Sequence, residues 1–396
     1  MDESFEYAVV GLGALGSAAA HQLARRGHRV VGLERFELGH RRGASHDTSR
    51  ILRHSYHTPE YVRLTFDAYD DWARLEEEAG EALVTVTGGL DLFPPDPAIP
   101  LVDYVDSLGE AGVPHELLDV TEIAARWPQF VLPGGTLGLH QERAAIVPAA
   151  RGTAVMQGLA KRDGAVLRDR SPVSALRDLG DRGVEVVTED RKYRCRAVVV
   201  CADAWTDALL APLGQRVPLT VTLEQATYFA PDEPGRFAPG RFPLWIWMDE
   251  PSFYGFPCYG EATVKAAQDC GGPETDPDDR PDLGDAVDGL DGVDQGRLEV
   301  LAGHLARMLP GSGRPVRSVR CLYTLTPDRD FVLGPVPGHP SVVVGLGAAH
   351  GFKFAPTFGR LLADLATTGA TATDLSTFRL DRPALTDPDY AAHWLV

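Results

Sequence analysis

Two hydrophobic periods alternate along this chain and divide it into elements. Tyr7 to Val10 is a short apolar run with β-branched residues, the pattern of a strand buried on both faces. An Ala-rich stretch follows with helical character, Gly27 stops it, and a second apolar run ends at Glu34. Leu64, Ala68, Trp72 and Leu75 then fall on one helical stripe and predict an amphipathic helix over 62–82. Short strands and Pro-rich turns are expected to about residue 147, a helix after Pro148, and a hairpin or meander over 166–190. Residues 197–205 are apolar on both faces, as a central parallel strand would be. Residues 216–268 alternate and are rich in aromatic and β-branched types, which predicts an antiparallel sheet. A helix over 296–309 ends at Pro310-Gly311, and a strand follows within 317–328. Residues 341–369 then read again as strand, Gly-rich turn and helix.

Two strand–turn–helix units bracketing an antiparallel insertion indicate an α/β fold: a Rossmann-like domain with a discontinuous antiparallel-β partner. The nucleotide-binding part is expected in 1–85, 148–215 and 318–396, and the substrate domain in 86–147 and 216–317. The chemistry begins in the first unit, where Gly11, Gly13 and Gly16 have the spacing G-x-G-x-x-G. Gly11 permits the tight turn, Gly13 lets a pyrophosphate approach the backbone, and Gly16 lets helix and strand pack closely. The helix N-terminus offers free N–H donors to phosphate. Glu34, at the end of the second strand, can accept hydrogen bonds from an adenosine ribose. The glycines alone would also suit a plain βαβ unit, but strand, helix, strand and terminal acid all sit where dinucleotide binding needs them.

Composition narrows the class. At 396 residues, two domains are expected. A formal net charge of −18 disfavours non-specific attraction to nucleic acid or an anionic membrane. Half of that charge lies between Asp269 and Glu299, where eleven acids face two arginines. The spacing of Asp288, Asp291 and Asp294 does not fit a helix–loop–helix calcium site, so a solvated acidic loop is expected. Five cysteines without a C-x-x-C pair suggest neither zinc nor a disulfide framework and fit a reducing compartment. Only six residues, three of them acidic, precede Tyr7, and no apolar run is long enough to span a membrane. A cytoplasmic enzyme is expected. The stretch 35–61 is rich in arginine and histidine, and Arg50, Arg53 and His54 would share one face if helical. It is either a basic surface patch or a cluster drawn towards cofactor phosphates or an anionic substrate.

The first βαβ unit together with SHDTSRILRH, CADAW, FYGFP, Lys265, RCLYTLTPDRDFVLGP and GAAHGFKFAPTFG resembles, in order and over nearly the whole chain, the monomeric sarcosine oxidase and N-methyltryptophan oxidase family. The resemblance implies FAD as cofactor. The implied reaction oxidises a secondary or cyclic amino acid to an imine, with oxygen becoming hydrogen peroxide. It also implies a thioether between Cys321 and the flavin, with Arg50 or Arg320 favouring the thiolate. Arg53 and Lys353 match the carboxylate-binding pair, and Tyr254 and Tyr323 match aromatic residues of the pocket. His46, His350 and Gly351 fall among residues near the flavin. Lys265 matches an oxygen-activating lysine; on an apolar strand such a cation is read as unpaired, its charge stabilising superoxide.

Two departures stand out. Asp203 replaces a glycine before Ala-Trp, and Asp269 stands where sarcosine-oxidising members carry a histidine. Sarcosine itself is therefore doubtful, and a larger substrate is expected. The partners implied are a small amino acid and oxygen, for a monomer or small homo-oligomer. The rival readings are an FAD dehydrogenase with another acceptor, a nicotinamide-dependent dehydrogenase, and a non-catalytic nucleotide-binding protein.

Overall fold

The computed structural model describes residues 2–279, 289–290 and 292–394. Its organising layer is a six-stranded sheet in the order Val166–Arg168, Val30–Leu33, Tyr7–Val10, Ala197–Val200, His339–Leu346, Val332–Val336. All neighbours are parallel except the last pair. The near-continuous apolar runs are explained by burial on both faces. Tyr7 and Val9 pack towards the helices Ala14–Arg25, Ala149–Arg162 and Ala355–Thr368, whereas Ala8 and Val10 join the core of a second sheet. That four-stranded sheet contains the hairpin Val173–Asp178 and Val184–Thr188, with Lys192–Cys195 and Asp2–Ser4. The α/β class is thus a three-layer stack of helices, a mostly parallel sheet and a smaller, mostly antiparallel sheet. Helices Ala14–Arg25 and Ala355–Thr368 approach so closely that a Cβ on Gly359 would lie 2.5 Å from the Ala18 backbone.

The second body is an eight-stranded sheet. Its longest pair lies at one edge: Arg314–Leu325, the edge strand, and Thr220–Ala230 are antiparallel and in register Glu224 to Cys321 and Tyr228 to Arg317. Val264–Asp269 and Ser252–Phe256 extend it on one side. Leu244–Trp247 then pairs in parallel with Gly89–Phe93, so the predicted sheet is mixed at that point. Val264 and Ala266 face a core shared with helix Gln295–Met308, which turns Lys265 to the opposite face.

Three local expectations change. Residues 86–147 hold two helices, Leu101–Glu110 and Val120–Arg126, besides strands. The second begins at a capping box, Asp119 with Glu122, a signal readable in the sequence. Arg50–Leu52 is a strand paired with Ala145–Val147, so Arg50, Arg53 and His54 share no helical face. The acidic segment lies partly outside the described residues, Asp288 and Asp291 included. Among those described, no group of acids, histidines or cysteines could hold a metal, and no helix is long and apolar enough to cross a membrane.

Candidate active site

At the carboxyl ends of the parallel strands the backbone forms a cradle. Gly11 has φ +87°, and a Cβ there would lie 2.3 Å from the Cys201 carbonyl oxygen. A Cβ on Gly16 would fall 1.8 Å from the Gly11 oxygen. Gly16 is therefore a packing position behind the turn, whereas Gly11 and Gly13 line the cavity in front of it. Glu34 forms the far wall. Its carboxylate accepts from the Leu12 N–H at 2.7 Å and the Phe36 N–H at 3.1 Å, with His40 at 3.3 Å. Burial works against that charge, but His40 and these N–H groups outweigh it and hold the carboxyl below its usual range.

A second cavity opens beside the first. Gly13, Ala44, Ser45, His46, Cys201 and Asp203 line both, forming a waist between them. Beyond the waist, this cavity gathers Arg50, Arg53, Tyr254, Lys265, Asp269, Cys321, Tyr323, His350, Gly351 and Lys353 on one wall system. Every site residue expected from the sequence except Gly16 thus lines one cavity or the other.

The partners of the charges were the part the sequence concealed. Lys265, 4% exposed, is ion-paired with Asp47 and also donates to the Ser49 carbonyl at 3.2 Å. It is therefore not the unpaired cation expected. Asp47 reaches it from a turn at φ +76° and accepts a 2.5 Å bond from the Tyr228 hydroxyl. Burial raises the Asp47 carboxyl, but Lys265 and Arg50 dominate and leave it well below the carboxylate range. Arg50 donates to the carbonyls of Ala44, Ser49 and His46 at 2.7, 2.8 and 3.0 Å, pinning the loop around the waist. Burial pushes the Cys321 thiol up, with Arg50 as the main opposing influence. Arg320 lies on the other face of the same strand, so of the two candidate cations Arg50 is the one beside the thiol.

Arg53 donates to Asp91 at 2.8 Å, and Ser55 holds the other oxygen of that carboxylate. Asp269 is clasped by both terminal nitrogens of Arg329 at 2.9 Å, and Arg329 is 3% exposed. The Asp269 charge is thus already compensated by a buried arginine. Both Asp47 and Arg329 sit inside quoted motifs, S-H-D-T-S-R and T-P-D-R-D, but pairing at separations of 218 and 60 residues left no local signal.

Lys353 differs from these. It donates to the Tyr56 hydroxyl at 2.8 Å and the His350 carbonyl at 3.0 Å, and no carboxylate pairs with it among the described residues. Burial, then Arg53 and Arg329, push its ammonium well below the ordinary lysine range. Burial likewise holds His350 neutral, its Nε2 facing the Arg329 carbonyl at 2.9 Å. The Tyr254 and Tyr323 hydroxyls stand 3.5 Å apart on the adjoining wall.

The residues present fit an extended dinucleotide: a side-chain-free cradle, an acid at one end, and a continuous groove past the waist to Cys321. Residues 6–365 match the family described as FAD dependent oxidoreductase. The chain belongs to that family. It is 34% identical to the monomeric sarcosine oxidase of Streptomyces avermitilis, over 96% of this chain and 97% of that protein. To the N-methyl-L-tryptophan oxidase of Salmonella heidelberg it is 28% identical, over 96% and 99%. Among solved structures it is similar to NikD, described as an unusual amino acid oxidase essential for nikkomycin biosynthesis. That match has a TM-score of 0.83 and 30% identity, covering 95% of this chain and 97% of NikD. The fold is accordingly that of the family, and the protein is an FAD-dependent amine oxidoreductase.

Proposed function

We propose that this protein oxidises a secondary or cyclic amino acid bearing a free carboxylate to the imine, with oxygen as acceptor and hydrogen peroxide as product. The observation that carries the reading is Lys353, a buried lysine without a carboxylate partner among the described residues, in a cavity that also holds Arg53, Lys265 and Cys321. A substrate carboxylate supplies the missing partner. Relatives named sarcosine oxidase and N-methyl-L-tryptophan oxidase support the substrate class.

FAD, when bound, supplies the two-electron acceptor for the substrate C–N bond. Segments 1–85, 148–215 and 318–396 are assigned to holding it, and 86–147 and 216–317 to shaping the substrate side. Glu34 is assigned to the adenosine ribose, and Gly11, Gly13 and the start of helix Ala14–Arg25 to the pyrophosphate. His46, Arg50, His350 and Gly351, which line the same cavity as Cys321, would flank the ring. Cys321 is assigned as its covalent anchor, with Arg50 supplying the positive field that favours thiolate. Arg53 and Lys353 grip the carboxylate, a planar fork and a point charge, with Tyr254 and Tyr323 walling the substrate in. Positive charge around the amine favours its neutral form, which is the one that can be oxidised. Lys265, Arg50 and Asp47 together carry a net +1, two cations against one acid, so positive charge for oxygen survives the ion pair. The five free cysteines support a reducing compartment, the cytoplasm.

A peroxide-release screen over N-methyl, cyclic and primary amino acids tests the activity. Turnover of secondary or cyclic acids, and loss of turnover on their decarboxylated amines, is expected; equal rates with the amines would remove the anchor. Acid precipitation tests the linkage: yellow pellets from wild type and colourless ones from Cys321→Ser are expected.

A further inference from the structure

Asp203 is the one carboxyl-bearing residue that lines both cavities, at the waist where they meet. It follows strand Ala197–Val200 with φ +47°, a conformation that L side chains other than Asn and Asp seldom adopt. An acid is thus held where a dinucleotide passing from Glu34 to Cys321 must thread, and no cation pairs with it among the described residues. Burial lifts its carboxyl to about 6, with the Thr324 hydroxyl opposing. Among the titratable and charged groups sharing these walls are Cys201 from its own strand end, His46 from the neighbouring loop, Glu34 with His40 beside it, and, farther into the second cavity, Arg53, Asp269 with Arg329, His350 and Lys353. Asp278 paired with Arg35 lies on one side, and Cys321 with Arg50, then the Lys265–Asp47 pair, on the other. Neither arginine is bonded to Asp203, so an anionic ligand entering the groove adds negative charge beside an uncompensated acid.

We propose that Asp203 is a cofactor-binding residue particular to this chain: protonated in the complex, its carboxyl donates a hydrogen bond to the linker of the dinucleotide, and FAD binding draws one proton from solvent onto it. The proposal rests on the FAD reading above. It has a defined sign. The unbound carboxyl is largely ionised at neutral pH and the bound one is not, so affinity falls as pH rises between the two values. One proton taken up gives a slope of up to about tenfold in Kd per pH unit.

The test uses full-length Cys321→Ser, in which FAD exchanges reversibly, titrated by quenching of flavin fluorescence from about pH 6 to 9, where the unperturbed histidine range is also covered. Kd is expected to weaken across the range, and the slope to vanish in Cys321→Ser/Asp203→Asn. Asp203→Gly, which accepts the same backbone conformation, is expected to be equally flat. A slope that survives both substitutions belongs to another group, such as His46, and overturns the proposal. FAD that fails to bind at any pH overturns the cofactor reading itself, a distinct result. On the native holoenzyme, infrared spectra at neutral pH should contain a protonated-carboxyl band absent from Asp203→Asn; no such difference would also overturn the proposal.

Discussion

The cradle and the chemical cavity meet at one waist yet are built by different means. The cradle is made of backbone within one short stretch, Gly11 to Glu34, and works by absence: side chains that would fill it are missing. The cavity is made of charges carried on elements from Asp47 to Lys353, each brought to its partner by sheet pairing or a turn. The first is sensitive to added atoms, and the second to charges that lose their partners. Substitutions should therefore fail differently in the two regions.

The largest effect is expected at Asp47. Asp47→Ala leaves Lys265 buried beside Arg50 without its counter-charge, which should cost about 3–5 kcal/mol of stability at neutral pH. Urea unfolding of the pair of variants checks this, because Asp47→Asn/Lys265→Met should recover most of the loss. The Asp47 carboxyl is held below its unfolded value, so its contribution is present above the ordinary carboxylate range. It disappears only as pH falls through the depressed folded value. Unchanged stability in Asp47→Ala would mean the ion pair is incidental.

Lys265→Met should spare stability more than Asp47→Ala but slow reoxidation of reduced flavin by roughly two to three powers of ten, about 3–4 kcal/mol. Stopped-flow measurement of each half-reaction separates this from slowed reduction by substrate. Equal slowing of both would remove the oxygen role.

Lys353 sharpens the comparison because its stability and its function pull apart. Lys353→Met should weaken binding of carboxylate substrates by about 1.5–3 kcal/mol, read as KM against kcat. The same change should stabilise the substrate-free protein at neutral pH. A buried ammonium with a depressed folded pKa leaves the unfolded chain binding the extra proton, so wild-type stability rises with pH up to the ordinary lysine range. The variant should lose that slope. A variant less stable than wild type at neutral pH would contradict this.

The smallest expected change belongs to the cradle. Gly16→Ala places a methyl against the Gly11 oxygen, and the forced backbone shift should cost about 1–3 kcal/mol. Flavin occupancy should fall with stability, while molecules that retain flavin turn over normally. A lowered turnover per bound flavin would show that the two regions are not separable.

The relation between reading and structure follows the same division. The G-x-G-x-x-G turn, both parallel strands and Glu34 were legible because the Gly16–Gly11 packing, the pairing of the two strands and the Leu12–Glu34 hydrogen bond are all local in sequence. The identity of the cavity residues was legible too, through motifs strung along the chain. Their electrostatic state was not. Arg50 and Arg53 looked like neighbours on one helical face, but strand Arg50–Leu52 sends one to the waist and the other to Asp91. Lys265 looked unpaired because Asp47 lies far from it in sequence, and nothing local announced the arginine that clasps Asp269.

By itself the sequence determined the nucleotide-binding unit, the alternation of α/β and antiparallel segments, and which side chains line the two cavities. These depend on local period, turn geometry and residue type. Only the tertiary structure decided which charges are neutralised, which remain open to a substrate, and that Asp203 stands between the two cavities. Charge compensation depends on distance and burial in space, and those are set by which strands pair, a property no single stretch of chain contains.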